Sequence, residues 1–207
     1  MKKKKTLCIA TRNQHKVEEM IPPLSPFWKV TSSDDYPGME EIEETGDTFL
    51  ANATLKAMTT SMAISDYVLA DDSGLEVDAL GGAPGVFSAR YGGIPSSTEK
   101  NNAKLLEELE KLKATTPEQR SARYRCVLVL AERGRVLGSF DGTCEGTITS
   151  APVGVNGFGY DPLFIPRGYT ETFGELSEKI KANLSHRAIA LQKFMAWCQA
   201  NSCGGQQ

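Results

Sequence analysis

Apolar and polar positions along the chain follow two rhythms, and the switches between them mark out its elements. Thr6-Leu7-Cys8-Ile9-Ala10 is short and almost wholly apolar, which predicts a buried strand. Thr11-Arg12-Asn13 forms the turn after it. Asn13 is placed as N-cap of a helix from Gln14 to about Ile21, stopped by Pro22 and Pro23. Trp28 to Thr31 alternates weakly as a second strand, and the acidic stretch from Ser33 to Thr45, with Pro37 and Gly38, reads as a loop. Asp47 is placed to cap the next helix, which runs to about Ile64. Phe49, Leu50, Ala53, Ala57 and Ile64 form its apolar stripe, while Asn52 and Lys56 stand one turn apart on another face.

The apolar run Tyr67-Val68-Leu69-Ala70 predicts a strand ending at Asp71-Asp72-Ser73-Gly74, after which Leu75 to Ala79 alternates as a further strand. Gly81 to Pro95 is rich in glycine and proline, a surface loop long enough to suggest function rather than mere connection. Ser96-x-x-Glu99 has the form of a capping box before a helix bearing Leu105, Leu106, Leu109 and Leu112, and Thr115-Thr116-Pro117 ends it. Ala122 to Ala131 alternates, with Tyr124, Cys126, Leu128 and Leu130 on one face. Glu132-Arg133-Gly134 turns that strand into Arg135 to Asp141, and Thr143 to Thr149 is a third strand of the meander. Pro152 to Tyr160 is a second glycine-rich loop, a short helix lies near Glu175 to Lys181, and Ser185 caps a final helix with Ile189, Leu191, Phe194, Met195 and Trp197. Helices alternate with strands early and strands cluster later, so the expected fold is α/β with a mixed sheet. No repeat or low-complexity linker interrupts residues 1–207, which read as one domain.

Composition narrows the partners. A formal charge of −3 gives no general attraction for nucleic acid or an anionic membrane, so any phosphate affinity must be local. Lys2 to Lys5 resembles the basic end of a signal peptide, yet the apolar segment after it is too short, and no run approaches a membrane span. Five cysteines (Cys8, Cys126, Cys144, Cys198, Cys203) form no CxxC pair, and with two histidines they are read as reduced, mostly structural thiols of a cytoplasmic protein.

Adjacent acids at Asp71 and Asp72 are costly to keep charged unless something positive neutralises them. Mg²⁺ does so with one or two carboxylates, waters and phosphate oxygens; a polar turn is the bland alternative. Thr11-Arg12-Asn13-Gln14-His15-Lys16 is either an ordinary cap with a solvated lysine or a phosphate site built on helix N–H groups. The acids Glu40 to Glu44 are either a solvated loop or a second carboxylate source for the same cation. Gly154 to Pro162 is either a tight loop around a buried aromatic or a backbone platform with Phe158 stacked on a base. His186 and Arg187 fall in the first turn of the last helix, where cations oppose the helix dipole unless an anion or polarised acceptor compensates.

Together these segments resemble the inosine triphosphate pyrophosphatase family over nearly the whole chain. The resemblance rests on Thr11-x-Asn13-x-x-Lys16, Glu43-Glu44-Thr45-Gly46, Asn52-Ala53-Thr54-Leu55-Lys56-Ala57 and Asp71-Asp72-Ser73-Gly74-Leu75. It continues through Gly81-Gly82-Ala83-Pro84-Gly85, Ser88-Ala89-Arg90-Tyr91, Gly157-Phe158-Gly159-Tyr160-Asp161-Pro162 and Ser185-His186-Arg187. Arg12 stands where many relatives carry a small residue. The resemblance implies an elongated mixed sheet flanked by helices, two lobes with a nucleotide cleft between them, and a homodimer. It also implies Mg²⁺-dependent hydrolysis of ITP, dITP and XTP to the monophosphate and pyrophosphate.

On this reading Asp72 activates water, and Glu43 and Asp71, with Asp72, surround Mg²⁺, ahead of Glu44. The triphosphate falls to Asn13, Lys16 and Lys56 within the Thr11–Arg12–Asn13–Gln14–His15–Lys16 turn and the following helix. Phe158, with Gly159 and Tyr160, takes the base, Asp161, His186 and Arg187 read its edge, and Ser73 and Lys181 complete the pocket. A Maf-like nucleotide pyrophosphatase of different base preference and a non-catalytic nucleotide-binding module are the alternatives.

Overall fold

The computed structural model describes residues 4–40, 42–201 and 203; the expectations for Lys2, Lys3 and Glu41 lie outside them. Its strands are β1 (Thr6–Ala10), β2 (Lys29–Ser32), β3 (Tyr67–Val77), β4 (Ser121–Glu132), β5 (Arg135–Ile148) and β6 (Phe164–Pro166). The helices are α1 (Gln14–Leu24), α2 (Phe49–Ala63), α3 (Thr98–Lys111), α4 (Glu178–Leu184) and α5 (His186–Ala200). The strands form one sheet in the order β2-β1-β3-β4-β5-β6. β1 is parallel to β2 and β3, whereas β5 and β6 are antiparallel, so the sheet is mixed, as expected. The chain divides into two compact units, residues 1–72, 126–141 and 189–207, and residues 73–125 and 142–188.

The first unit is built on the parallel strands. Leu7, Ile9, Leu69, Cys126, Leu128 and Leu130 pack with Val17, Met20 and Leu24 of α1 and Leu191 and Phe194 of α5. The intervening Cys8, Ala10, Val68 and Ala70 are buried as well, and so are Ala53 and Ala57 of α2. Strands of a parallel sheet buried on both faces carry continuous rather than alternating apolar runs. α1 continues through Pro22 and Pro23, contrary to the expected stop. Both prolines are exposed, so their missing N–H groups fall on the solvent side, and the fully buried Leu24 anchors the last turn. α2 begins one residue later than expected, with Thr48 Oγ1 accepting from Ala51 N at 3.1 Å; Leu50 faces solvent and Ile64 lies past the helix end.

The second unit centres on Leu75, Val77, Leu105, Leu109, Tyr124, Ile148, Phe164 and Phe173. Ser97, not Ser96, caps α3 by accepting from Lys100 N, and Leu112 is exposed at its end. The 81–95 segment is not all loop: Gly85–Arg90 forms a 3-10 helix held to β3 by Ser88, whose Oγ accepts from Leu75 N at 2.9 Å. A Cβ on Gly74 would meet Ser88 Oγ at 2.4 Å and Gly85 O at 2.5 Å, so only glycine permits that approach. The meander has two long strands rather than three short ones, because β5 runs unbroken through Gly142. α4 starts three residues beyond the expected Glu175.

The largest correction concerns β3. Asp71 to Gly74, expected as a turn between two strands, lies inside one strand of 11 residues. Buried acids within a strand need cationic and polar partners, and those partners define the candidate site.

Candidate active site

Ala10 at the carboxyl end of β1 pairs with Ala70 of β3. The chain therefore turns into α1 where β3 reaches its two acids. Asn13 Oδ1 accepts from Lys16 N at 3.3 Å and starts the helix that carries Lys16. Successive strand side chains point to opposite faces, which separates Asp71 from Asp72. Asp71, fully buried, pairs with Lys16 Nζ through Oδ1, and its Oδ2 lies 3.2 Å from Cys126 Sγ. Asp72 lies 3.5 Å from Lys56 Nζ through Oδ1. Lys56, one turn beyond Asn52 on α2, also donates to Glu44 Oε1 and to the carbonyl of Asp71, each at 2.6 Å.

Burial pushes the Asp72 carboxyl up to about 6, with Glu44 adding to the shift and Lys56 and Lys16 opposing it. Burial alone would pull the Lys56 ammonium down, but Asp72, Glu44 and Asp71 hold it above its ordinary value. Asp72 Oδ2 is buried without a hydrogen-bond partner, and so is Asn52 Nδ2. Lys16 and Lys56 face three carboxylates (Glu44, Asp71, Asp72), so this is a charge-balanced nest rather than a basic patch.

Other members of the sequence-read turn point elsewhere. Arg12 donates to the Met39 carbonyl at 2.5 Å and Gln14 to Asp34 at 2.6 Å, tying the turn to the segment before the acidic loop. Exposed His15 lies 3.7 Å from Glu18, and Thr11 Oγ1 accepts from Asn13 N. Glu43 is exposed; it is Glu44, ranked behind it on sequence, that contacts Lys56. Asp71, expected beside a metal, has both oxygens engaged, one by a lysine and one by a thiol.

A second cluster lies within the other unit. Asp161, expected at a base edge, is 2 % exposed and serves as the hub of its own loop. Its Oδ2 accepts from Phe158 N at 2.8 Å and Lys181 Nζ at 2.7 Å, and its Oδ1 is 3.2 Å from the Tyr124 hydroxyl. Lys181 Nζ sits 4.6 Å from the centre of the half-buried Phe158 ring, and Arg187 Cζ sits 5.9 Å from it. Arg187 donates to Ser73 Oγ at 2.9 Å, and the His186 ring stacks on Tyr124 at 4.7 Å. Ser185 Oγ accepts from Ala188 N, which fixes the start of α5 and so places His186 and Arg187. Asn102 reaches the Gly159 carbonyl at 3.2 Å, and the Tyr160 hydroxyl donates to the Ser88 carbonyl at 2.8 Å.

Thus Asn13, Lys16, Lys56, Asp71 and Asp72 meet in one unit, and Ser73, Phe158, Asp161, Lys181, His186 and Arg187 in the other. Sequence reasoning assigned no role to Asn52, Tyr124 or Cys126. Only their residue types and periodic positions were legible, and both suited a core. Burial holds the Cys8, Cys144 and Cys198 thiols up at about 12, and all five cysteines are free, in keeping with structural thiols. Among the described residues no helix is long and apolar enough to cross a membrane.

This arrangement has relatives. The chain is 46% identical over 190 residues to the dITP/XTP pyrophosphatase of Desulforamulus reducens, covering 91% of this chain and 93% of that one. It is 50% identical over 191 residues to the dITP/XTP pyrophosphatase of Exiguobacterium sp., covering 92% and 95%. The solved structure of the Staphylococcus aureus Ham1 protein superposes with a TM-score of 0.84 at 38% identity, over 95% of this chain and 100% of that one. The model of the Ham1 family matches residues 7–197, spanning both clusters, and with that agreement in sequence, fold and extent the chain belongs to the Ham1 family.

Proposed function

We propose that the chain hydrolyses the non-canonical purine nucleoside triphosphates dITP, ITP and XTP to the nucleoside monophosphate and pyrophosphate, using Mg²⁺. The observation that carries this reading is the buried Asp72 carboxylate, with one oxygen toward Lys56 and the other unpartnered. Its raised pKa, about 6, leaves it ionised near neutrality yet basic enough to take a proton from water. The water oxygen then bonds to phosphorus, the bridging bond to pyrophosphate breaks with its electron pair on the leaving group, and the proton resides on Asp72 before passing to solvent. Lys16 and Lys56 meet the charge that grows on the departing phosphates.

The residues present fit a magnesium ion. Asp72 Oδ2 is a carboxylate oxygen without a donor, Glu43 is exposed on the acidic loop, and Mg²⁺ needs only one or two protein carboxylates. When bound, the ion supplies charge neutralisation across the phosphates. Glu43 and Asp72 are the proposed holders. Asp71, committed to Lys16 and Cys126, instead orients that lysine.

Base recognition is assigned to the second cluster. Phe158 stacks on the purine, and the donors of Arg187 and His186 favour a 6-keto acceptor over the 6-amino donor of adenine, since a buried donor facing a donor is costly. Asp161 and Lys181 hold Phe158 in place rather than touching the base edge. The family resemblance further supports a cytoplasmic homodimer, for which light scattering at twice the chain mass is the test.

The deciding experiment measures pyrophosphate release from dITP, ITP, XTP, dATP, dGTP, dTTP and UTP, with and without Mg²⁺. Turnover is expected for the first three and only with the metal. Activity confined to dTTP and UTP would establish the Maf-like alternative, and ITP binding without turnover the non-catalytic one.

A further inference from the structure

Asn52 is fully buried on α2, one turn before the lysine that reaches Asp72. Its Oδ1 accepts from Gly46 N at 2.7 Å, at the end of the acidic loop. That backbone donor fixes which end of the amide is oxygen, so Nδ2 must project the other way. A Cβ on Gly46 would lie 2.7 Å from Asn52 Oδ1, so the residue pair is closely fitted. Nδ2 is a buried donor without a partner, and Asp72 Oδ2 is a buried acceptor without one. The two side chains are close enough for the amide to favour the ionised form of Asp72.

A donor and an acceptor buried side by side, and not bonded to each other, call for a third group able to accept from one and donate to the other. A metal cation cannot accept from the amide, and a phosphate oxygen cannot donate to the carboxylate. Water does both, and still presents a lone pair for attack. We infer that Asn52 is a further catalytic residue, whose Nδ2 hydrogen-bonds the water that Asp72 deprotonates while its Oδ1 fastens the acidic loop at Gly46. This rests on the hydrolytic reading above. No atom balance changes: Asn52 exchanges no proton and aims the oxygen of the water that is consumed.

The test uses the full chain with Asn52→Leu, which removes both functions, and Asn52→Asp, which keeps an acceptor for Gly46 N but removes the donor. Measured quantities are kcat with dITP and Mg²⁺, Kd for ITP bearing a non-hydrolysable α,β-methylene link, and Tm. Both variants are expected to lose about 100-fold in kcat, the scale of one lost donor at a reacting centre, with Kd within about threefold of wild type. A kcat within about threefold of wild type in either folded variant, or equal losses in Kd and kcat, overturns the inference. If Asn52→Leu does not fold, Asn52→Asp alone decides. A wild type inactive on every triphosphate overturns the hydrolytic reading, and this inference with it.

Discussion

At the scale of single residues, the two buried carboxylates are held in different ways. Asp72 is ionised at a cost, since its folded pKa of about 6 lies above the ordinary 3.8. The folded state therefore binds more protons between those values, and stability falls as pH rises through that window. In chelator-treated protein, Asp72→Asn should raise unfolding stability at pH 8 by up to about 3 kcal/mol and at pH 4 by only ~0.5 kcal/mol; urea titration at the two pH values checks this. The same variant should lower kcat for dITP by about 100-fold or more, the range for a lost general base. Asp161 is the opposite case, an anion fully engaged by Lys181, Phe158 N and Tyr124. Lys181→Met leaves that charge buried and should cost about 3 kcal/mol. Adding Asp161→Asn should recover much of the loss, which a double-mutant cycle measures.

At the scale of elements, β3 and the 3-10 helix beside it carry the arrangement. Gly74→Ala drives a methyl into Ser88 Oγ and the Gly85 carbonyl, so it should destabilise by about 2 kcal/mol, read as a lowered Tm. Most elements were legible in the pattern of the sequence because their signals are local: the apolar run of β1, the Leu105 and Leu109 spacing of α3, and the cap at Ser185. The misplacements are local too. Asp47 and Thr48, or Ser96 and Ser97, are adjacent residues able to cap, and propensity cannot choose between neighbours. The continuity of β3 was hidden for another reason. Lys16 and Cys126, the groups that let Asp71 stay inside a strand, each stand 55 residues away in sequence. The division of labour between the acids depended on the same distant partners.

At the scale of the whole molecule, the resemblance read from scattered short motifs and the match across residues 7–197 describe one chain-long pattern. That pattern identified the clusters but not which members touch one another; Glu43 and Glu44 are adjacent letters, and only the fold brings one of them to Lys56. Glu43→Gln should raise the Mg²⁺ concentration for half-maximal activity severalfold while leaving Tm unchanged, as a magnesium titration of dITP turnover would show. β3 adds a constraint on how the chain can change in length. The acids are told apart by parity, odd toward α1 and Cys126, even toward α2, and the pairing of Ala10 with Ala70 sets the count. Deleting one residue between Tyr67 and Ala70 exchanges the two roles at a stroke, whereas length changes in the exposed stretch before the strand leave the count alone. Descendants of this chain are therefore free to vary in the connection near Ser65, while the spacing within β3 behaves as a reading frame.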